Sequence, residues 1–324
     1  MCTAINFKTN DHYFGRTLDF ERDFGEKVVI TPRNYCFVFK EQNEIKTHYA
    51  MIGMARIQNN YPLYFDATNE KGLSVAGLNF PENAFYSEIK VGKSNITPFE
   101  FIPWILGRAD CVDVAKALLD NINIVNIPFD ENTPLTSLHW IISDKEKSIT
   151  VEPLKSGLKV YENKVGVLTN NPPFDIQMFN LNNYMSLSSK MPENRFSEDI
   201  EFDVYSNGLG LLGLPGDFSS ASRFVRACFI KENSVCREVE TESVSQFFHI
   251  MDSIGQIRGV NVKENGEYNL TYYTSCCNTD KCIYYYTTYE NRRICAINMY
   301  NEDLNKDILA TYELMNRQNI KYIN

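Results

Sequence analysis

The sequence has no excess of basic residues, no long apolar run and no leader-like opening, and each absence narrows the choice of function. Lysine and arginine number 32 against 41 aspartates and glutamates, which gives a formal net charge of −9 at pH 7. Nucleic-acid binding depends on clustered Lys and Arg, so we expect no nucleic-acid partner. No apolar run approaches the roughly 18 residues that a membrane span needs. Residues 1–8 also lack the apolar core of a secretory signal, so we expect a cytoplasmic protein with no membrane association.

Cysteine and histidine are too scattered to form the usual metal sites or disulfide frameworks. The nine cysteines are odd in number and dilute over 324 residues, which favours free thiols. Cys276, Cys277 and Cys282 lack CxxC spacing and have no histidine nearby, so we expect no zinc site. Residues 208–213 match the dinucleotide pattern GxGxxG, but Pro215 and Gly216 follow where the phosphate-facing helix should begin. We therefore interpret this run as a turning loop.

Strand patterns outnumber helix patterns and are interspersed with them. Alternation predicts a hairpin over residues 2–7 and 12–20, and further strands over 50–57, 72–80, 139–143, 149–152, 158–161, 165–169 and 283–289. Helical spacing predicts helices over residues 99–109, 112–119 behind an Asp110 cap, 220–231 and 242–254. Because strict β-α alternation is missing, we expect an α+β fold with helices layered on antiparallel sheet. We expect one domain over residues 1–324, with a polar, irregular excursion near residues 180–207.

Cys2 is the first candidate for chemistry. A small second residue allows removal of Met1, which would leave a thiol and a free α-amine on the same residue. An α-amine titrates near ~7.7–8.0 and can act as the general base that activates the thiol. An incidental cysteine in a first strand is the alternative, and a dyad of Cys2 with His139 is another that the sequence leaves open.

Residues that could assist Cys2 follow in the second strand of the predicted hairpin. Strand alternation puts Arg16 and Leu18 on one face, with Asp19 on the other face or at a bulge. Arg16 could stabilise a thiolate, and Asp19 could accept a hydrogen bond from the α-amine. An exposed ion pair in a hairpin is the competing interpretation.

Two asparagines and one arginine complete the set of polar candidates. Asn79 and Asn170 lie at predicted strand ends, where an amide or a backbone N–H can stabilise an oxyanion, although asparagine before a turn is also ordinary turn chemistry. Arg223 lies in the first turn of a predicted helix. Cations are disfavoured there, so its position indicates an anionic partner or a solvated surface residue.

Several motifs together resemble the choloylglycine hydrolase family, specifically its bile salt hydrolase branch. They occur in the family's order over essentially the whole chain: Met1-Cys2-Thr3-Ala4, Phe14-Gly15-Arg16, Asn69-Glu70-Lys71-Gly72-Leu73, Ala76-Gly77-Leu78-Asn79-Phe80, Leu138-His139-Trp140, Val167-Leu168-Thr169-Asn170, Leu214-Pro215-Gly216-Asp217, and Tyr284-Tyr285-Tyr286 with Thr288-Tyr289. The resemblance implies a four-layer αββα sandwich, the Ntn-hydrolase fold, with no metal and no organic cofactor.

The resemblance also implies roles for the candidate residues. Cys2 would be the nucleophile with its α-amine as base, and Arg16 and Asp19 its polar neighbours. Asn170 would supply the side chain of the oxyanion hole and Asn79 its backbone N–H, with Arg223 as a second cation.

The substrate that the resemblance implies is a bile salt conjugated to glycine or taurine. Penicillin V acylases, the sister branch, typically carry Tyr where this chain has Asn79, which favours bile salts here. By positional analogy Leu18, Phe65, Phe129 and Leu138 would line an apolar pocket for the steroid, although a core role predicts the same residue types. The family further implies a homotetramer. A penicillin or acyl-homoserine-lactone acylase, and a non-catalytic bile-acid binder, are the alternatives.

Overall fold

Strands make up most of the regular structure in the computed structural model, which describes residues 1–324. The strands are β1 (Cys2–Lys8), β2 (His12–Phe20), β3 (Lys27–Thr31), β4 (Met51–Gln58), β5 (Tyr61–Asn69), β6 (Ser74–Asn79), β7 (Ser94–Ile96), β8 (Ile122–Ile124), β9 (Leu138–Ser143), β10 (Ser148–Leu154), β11 (Gly157–Glu162), β12 (Val167–Leu168), β13 (Leu270–Asn278), β14 (Ile283–Thr288), β15 (Asn291–Asn298) and β16 (Ala310–Glu313). The α-helices are α1 (Phe101–Leu106), α2 (Val112–Leu119), α3 (Phe174–Asn180), α4 (Ser220–Asn233) and α5 (Glu240–Asp252).

Two large antiparallel sheets lie face to face. The six-stranded sheet has the order β12-β1-β2-β13-β14-β15, and the eight-stranded sheet has the order β11-β10-β9-β6-β5-β4-β3-β16. A short parallel pair, β7 with β8, lies outside both sheets. The first hairpin is therefore central in its own sheet, with β12 on one side and β13 on the other.

Helices cover the outer faces of both sheets and complete four layers. Helices α4 and α5 pack on the six-stranded sheet, and their apolar residues share one hydrophobic cluster with the residues between the sheets. Helices α1 and α2 pack on the eight-stranded sheet in a second cluster. Each buried Phe, Leu or Ile in these clusters contributes about 1.5–3 kcal/mol relative to an exposed side chain. The architecture is the predicted αββα sandwich.

The predicted hairpin and helices are confirmed, with one error at a helix start. Helix α2 has the predicted bounds, but its cap residue is Cys111 in extended conformation, not Asp110. The Val112 N–H donates to Asp144 Oδ2 at 2.7 Å, so a carboxylate from the turn between β9 and β10 replaces the local cap. Helix α3 was not predicted, because its seven residues are fewer than the window over which helical spacing can be recognised.

The segment after Asn180 is irregular and exposed, as its composition indicates. A single 3₁₀ turn, Leu181–Tyr184, is the only regular element before residue 207. Phe196 and Phe202 pack on each other in this segment at 5.6 Å while both remain exposed. That residues 1–324 fold as one domain stays a prediction.

None of the helices combines the length and the hydropathy needed to cross a bilayer.

Candidate active site

The first hairpin buries Cys2 and divides its neighbours between two faces. Cys2 is 3% exposed and lies directly opposite Leu18 in the β1–β2 ladder. Side chains of opposed residues share a face, so Cys2, Leu18 and Arg16 point toward the eight-stranded sheet. Thr3 and Thr17, which are also opposed, point toward the helices. The thiol is therefore reached from between the sheets, and its backbone from the helical side.

Arg16 is a buried cation that spans the gap between the sheets. Its Nη1 donates to the carbonyls of Phe65 at 3.1 Å and Gly77 at 2.5 Å. Burial works to lower the pKa of Arg16, but the charges of Cys2 and of carboxylates such as Asp66 outweigh burial and raise that pKa. Arg16 thus remains charged and available to stabilise a thiolate on Cys2.

A buried carboxylate behind Arg16 was not predicted from the sequence. Asp66 on β5 accepts hydrogen bonds from the hydroxyls of Tyr284 at 2.7 Å, Tyr273 at 2.9 Å and Ser275 at 3.2 Å, all on the opposite sheet. Burial raises the pKa of Asp66, while the charge of Arg16 acts to lower it. This group fastens the two sheets together next to Arg16.

Asp19 lies on the helical face of the hairpin and is bonded by hydroxyl donors. Thr17 Oγ1 donates to its Oδ2 at 3.1 Å, and Thr271 Oγ1 donates to its Oδ1 at 2.6 Å. Arg223 Nη1 lies 3.9 Å from Oδ2. The carboxylate is fully buried, so these donors replace the water it would otherwise bind.

A β-bulge brings Thr271 to Asp19. Thr271 pairs with Asp19 and Tyr273 with Leu18, so Tyr272 is an extra residue in β13. Bulges bend a strand and re-aim side chains, often beside active sites. The sequence interpretation allowed for a bulge at Asp19, and the structure locates it on the partner strand.

Arg223 anchors the N-terminus of α4 to the first strand. The helix begins behind Ser219, whose Oγ accepts from the Ser222 N–H, and Arg223 follows one turn later. Its Nη1 donates to Cys2 O and to Thr3 Oγ1, both at 2.6 Å, and its Nη2 donates to Asn170 Oδ1 at 2.7 Å. Burial lowers its pKa, against the opposing charges of Asp19 and Cys2.

The side-chain amide of Asn170 is oriented by three contacts. Its Oδ1 accepts from Cys2 N at 2.8 Å and from Arg223, and its Nδ2 donates to Asn79 O at 2.7 Å. Because two donors face Oδ1 and one acceptor faces Nδ2, the orientation of the amide is determined. One Nδ2 hydrogen remains available for a further acceptor.

The backbone N–H of Asn79 points toward the same place. The Phe80 N–H donates to Ser137 O, so Asn79, one residue earlier, turns its own N–H and C=O away from β9. Its C=O meets Asn170 Nδ2 on that side. The two predicted oxyanion donors therefore lie next to each other, near Cys2.

Met1 occupies the ladder beyond Cys2. Its carbonyl accepts from the Asp19 N–H at 2.9 Å, and its amine donates to Asp19 O. In this form the nitrogen of Cys2 is an amide that cannot act as a base. Cleavage of Met1 would put an α-amine at that position, 2.8 Å from Asn170 Oδ1.

His139 does not form a dyad with Cys2. Its Nδ1 lies 3.0 Å from Glu152 Oε1 and its Nε2 lies 2.9 Å from Thr169 O. Both ring nitrogens are thereby occupied, which rules out the alternative that the sequence left open.

Two of the four predicted pocket residues, Leu18 and Phe65, lie at the hairpin, and a third, Leu138, is connected to the site through its strand pairing. Leu18 is opposite Cys2, Phe65 packs on Phe24 at 5.6 Å between ring centroids, and Leu138 is paired with Asn79 in the β6–β9 ladder. Leu18 and Phe65 put apolar surface beside the candidate site, whereas the Leu138 side chain packs, like Phe129, with the outer hydrophobic cluster. Lining a steroid pocket stays a prediction for each of them.

Phe129 lies in the outer hydrophobic cluster. Its ring packs on Tyr61 at 5.5 Å and Phe99 at 6.2 Å, with Lys40 Nζ 5.7 Å from its centroid. Leu18 and Phe65 belong to the other cluster. The structure therefore does not bring Phe129 together with them.

Sequence reasoning missed the hydroxyl groups that support the charged residues. Thr3, Thr17, Thr271 and Ser220 bond to Arg223, Asp19 or Asn170. Threonine is common in strands, so its residue type carried no signal. The available clue would have been that two polar residues, Thr3 and Thr17, face each other in the predicted hairpin.

Among His, Cys, Asp and Glu side chains, no group of three or more is arranged to hold a metal ion. Each of the nine cysteines is unpaired, as predicted.

Comparison with known proteins identifies the family of the chain. Residues 2–312 match the model of the linear amide C–N hydrolases, choloylglycine hydrolase family. A protein of Lactiplantibacillus plantarum named bile salt hydrolase/transferase is 51% identical over 314 residues, covering 97% of each chain. A protein of Clostridium perfringens with the same name is 41% identical over the full length of both chains.

A solved structure is similar over the whole chain. The structure of a mutant conjugated bile acid hydrolase from Clostridium perfringens superposes with a TM-score of 0.92 at 40% identity, covering 100% of both chains.

Proposed function

Because the chain belongs to the choloylglycine hydrolase family of linear amide C–N hydrolases, we propose that it hydrolyses the amide bond of glycine- or taurine-conjugated bile salts. The products are the free bile acid and the amino acid. The observation that supports this chemistry most directly is the convergence of Cys2 N, Arg223 and Asn79 O on the single amide of Asn170.

The first step makes the thiol nucleophilic. After Met1 is removed, the α-amine of Cys2 accepts the thiol proton, and Arg16 stabilises the thiolate from between the sheets. Asp19 lies on the other face, where it orients the ammonium end of the residue. No histidine takes part.

The second step forms and collapses the tetrahedral intermediate. Cys2 Sγ attacks the amide carbon, and the oxyanion accepts hydrogen bonds from the free Nδ2 hydrogen of Asn170 and the Asn79 N–H. Each donor lowers the barrier by about 2.7–4 kcal/mol. The C–N bond then breaks, the leaving amine takes the proton from the α-ammonium, and water hydrolyses the thioester.

The apolar side chains near the hairpin supply recognition of the steroid. Leu18 and Phe65 present apolar surface beside Cys2, and Phe20, Phe24 and Phe65 form a chain of rings at 4.9 and 5.6 Å. Leu138 is included because it pairs with Asn79 at the end of β6. A rigid apolar body needs such a surface with few polar groups. We include Phe129 on positional analogy alone.

Release of taurine and glycine tests the function. We expect purified enzyme to release the amino acid from taurocholate or glycocholate with a kcat/KM well above that for phenoxymethylpenicillin. A preference for the penicillin would move the chain to acylase chemistry, and cholate binding without amine release would make it a binder. A folded Cys2→Ala protein, the matched control, should release nothing.

Acyl transfer to an amine is a second activity, favoured by the hydrolase/transferase names of two relatives. An amine that replaces water would attack the thioester carbon, form a new amide and expel the Cys2 thiol. Mass spectrometry of cholate conjugates after incubation of taurocholate with a second amino acid would detect the product. Hydrolysis without any new conjugate would reject the transfer.

For assembly and location we propose a homotetramer in the cytoplasm. Exposed apolar residues in the irregular segment, including Met191, Phe196 and Phe202, offer surface for a second copy, and nine free thiols suit a reducing compartment. Light scattering would report the mass, and a monomer at micromolar concentration would reject the tetramer. Cell fractionation would test the location.

A further inference from the structure

A buried histidine–glutamate pair lies directly behind the two oxyanion donors. His139 on β9 and Glu152 on β10 are fully buried, with Nδ1 and Oε1 3.0 Å apart. The proposed reaction uses neither residue. Removing either residue would leave the buried polar group of the other without a hydrogen-bond partner, which destabilises the fold. Because the pair takes no part in the reaction, its presence requires another explanation.

The pair holds both ends of the loop that carries Asn170. His139 Nε2 donates to the carbonyl of Thr169, the residue before Asn170, at 2.9 Å. The Glu152 carboxylate accepts from the Phe174 N–H at 3.1 and 3.2 Å. His139 therefore anchors the start of this loop, and Glu152 anchors its end.

The same imidazole contacts the segment of the other donor. The ring of Phe80, the residue after Asn79, stacks on His139 with centroids 4.1 Å apart and planes inclined by 7°. His139 therefore touches the neighbour of Asn79 and the neighbour of Asn170. The two segments are also joined directly, by Asn170 Nδ2 to Asn79 O at 2.7 Å and by Asn171 Nδ2 to Pro81 O at 2.9 Å.

The hydrogen-bond roles follow from the partners. A carbonyl oxygen can only accept, so Nε2 must carry a hydrogen. One further proton lies between Nδ1 and Glu152 Oε1. Nε2 donates to Thr169 O whether the pair is charged or neutral. The clamp, by which we mean the contacts of His139 and Glu152 with Thr169, Phe174 and Phe80, therefore does not depend on which partner holds the other proton.

We propose that His139 and Glu152 are positioning residues that hold the Asn79 N–H and the Asn170 amide at the spacing required by the oxyanion. The inference rests on the proposed function. Neither residue touches substrate. A donor displaced by a fraction of an ångström weakens its bond to the transition state while the ground-state complex is little changed.

The variant His139→Phe tests the clamp. Phenylalanine retains a ring to stack on Phe80 and loses both hydrogen bonds. We expect kcat on taurocholate to fall about 10–100-fold with KM changed less than about threefold. The variant His139→Gln, whose amide can still donate to Thr169 O, should recover most of the activity.

His48→Phe is the matched control. His48 is also buried, and its nitrogens contact Tyr49 O at 2.7 Å and Tyr35 O at 2.9 Å, within the outer hydrophobic layer. It should lower stability much as His139→Phe does and leave kcat unchanged. An equal loss of kcat in the two variants would show a general structural effect and overturn the inference.

An aldehyde analogue of cholate gives a readout that a structural role would not move. The Cys2 sulfur adds to the aldehyde carbon, the π electron pair of the C=O bond moves onto the carbonyl oxygen, and this oxygen takes the thiol proton. The resulting hemithioacetal oxygen lies in the oxyanion hole. We expect His139→Phe to bind this aldehyde about 10–100-fold more weakly and cholate itself with unchanged affinity. Equal losses for both ligands would overturn the proposal.

Two further results keep the test decisive. If His139→Phe does not fold, Phe80→Leu replaces it, with an expected fall in kcat of about 3–10-fold from the lost stacking; an unchanged kcat would overturn the proposal. If the wild type cleaves another linear amide in place of bile salts, the substrate assignment fails, and the same variants are compared on that amide.

Discussion

Two arginines lie buried on opposite faces of the first strand, and their surroundings differ. Arg16 lies between the sheets near Cys2 and Asp66, and these charges raise its pKa. Arg223 lies in the first turn of α4, its nearest carboxylate oxygen is 3.9 Å away, and burial lowers its pKa. The guanidinium of Arg16 bonds only to backbone carbonyls, whereas the guanidinium of Arg223 also bonds to the side chains of Thr3 and Asn170.

The difference indicates two distinct tasks for one residue type. Arg16 supplies charge to the thiol, because its hydrogen bonds hold it in place without neutralising it. Arg223 supplies geometry, because its planar fork joins the first strand to Asn170. A substitution that removes only the charge, or only the planar hydrogen-bonding group, should therefore change activity differently at Arg16 and at Arg223.

The largest effect should follow loss of the charge at Arg16. We expect Arg16→Leu to lower kcat/KM about 1,000-fold, since a buried thiolate without a cation is strongly disfavoured. Alkylation of Cys2 by iodoacetamide at pH 7 should slow as well. Arg108→Leu removes a half-buried arginine in the outer layer and should leave both rates unchanged. Normal alkylation in Arg16→Leu would contradict the charge role.

Loss of geometry at Arg223 should have the next largest effect. Arg223→Lys retains the charge and loses the fork, so we expect kcat to fall about 100-fold while the alkylation rate stays near that of the wild type. Arg226→Lys is the control on the same helix, where the guanidinium bonds the carbonyls of Pro215, Asp217 and Ser253. Arg223→Lys with full kcat would remove the distinction between the arginines.

A smaller effect should follow at Thr271, which bonds to Asp19 on the same face as Arg223. The Gln256 N–H donates to Thr271 Oγ1 at 2.7 Å, so the hydroxyl hydrogen is directed to Asp19. We expect Thr271→Val to lower kcat about tenfold, as one buried hydrogen bond is worth about 0.5–1.5 kcal/mol and its loss leaves polar groups unpaired. Thr271→Ser should retain activity, and equal losses in Val and Ser would argue against this bond.

Much of this site follows from the sequence, because its main residues carry local signals. Cys2 is the second residue, Arg16 and Asp19 follow in one hairpin, and Asn79 and Asn170 end strands. The support at Thr271 depends on a bulge in a strand more than 250 residues away, and no local pattern encodes that contact. The Asp110 cap shows the opposite failure, in which a suitable residue type is present but tertiary packing supplies another partner, Asp144.

The smallest effect on activity should come from His12, at the far end of the same hairpin. Burial lowers the pKa of His12 from 6.5 to about 4, against the nearby charges of Asp280 and Asp144. As pH falls from 6.5 to 4 the unfolded chain binds this proton first, so stability decreases in that window. Between pH 7 and pH 5 the loss should be about 2 kcal/mol.

Chemical denaturation at the two pH values measures this loss. We expect His12→Gln to lose less stability than the wild type on going from pH 7 to pH 5, with kcat at pH 7 unchanged. An equal loss in both proteins would show that His12 is not the group responsible.

The central claim is that Cys2 becomes a nucleophile with its own base once Met1 is gone. Intact mass and N-terminal sequencing, combined with a taurine-release assay, test it on two forms of the protein: one that begins at Cys2 and one in which Met1 is retained by inhibition of methionine aminopeptidase. We predict turnover only from the form that begins at Cys2, because the Cys2 nitrogen is otherwise an amide. Equal turnover from the form that retains Met1 would contradict the account.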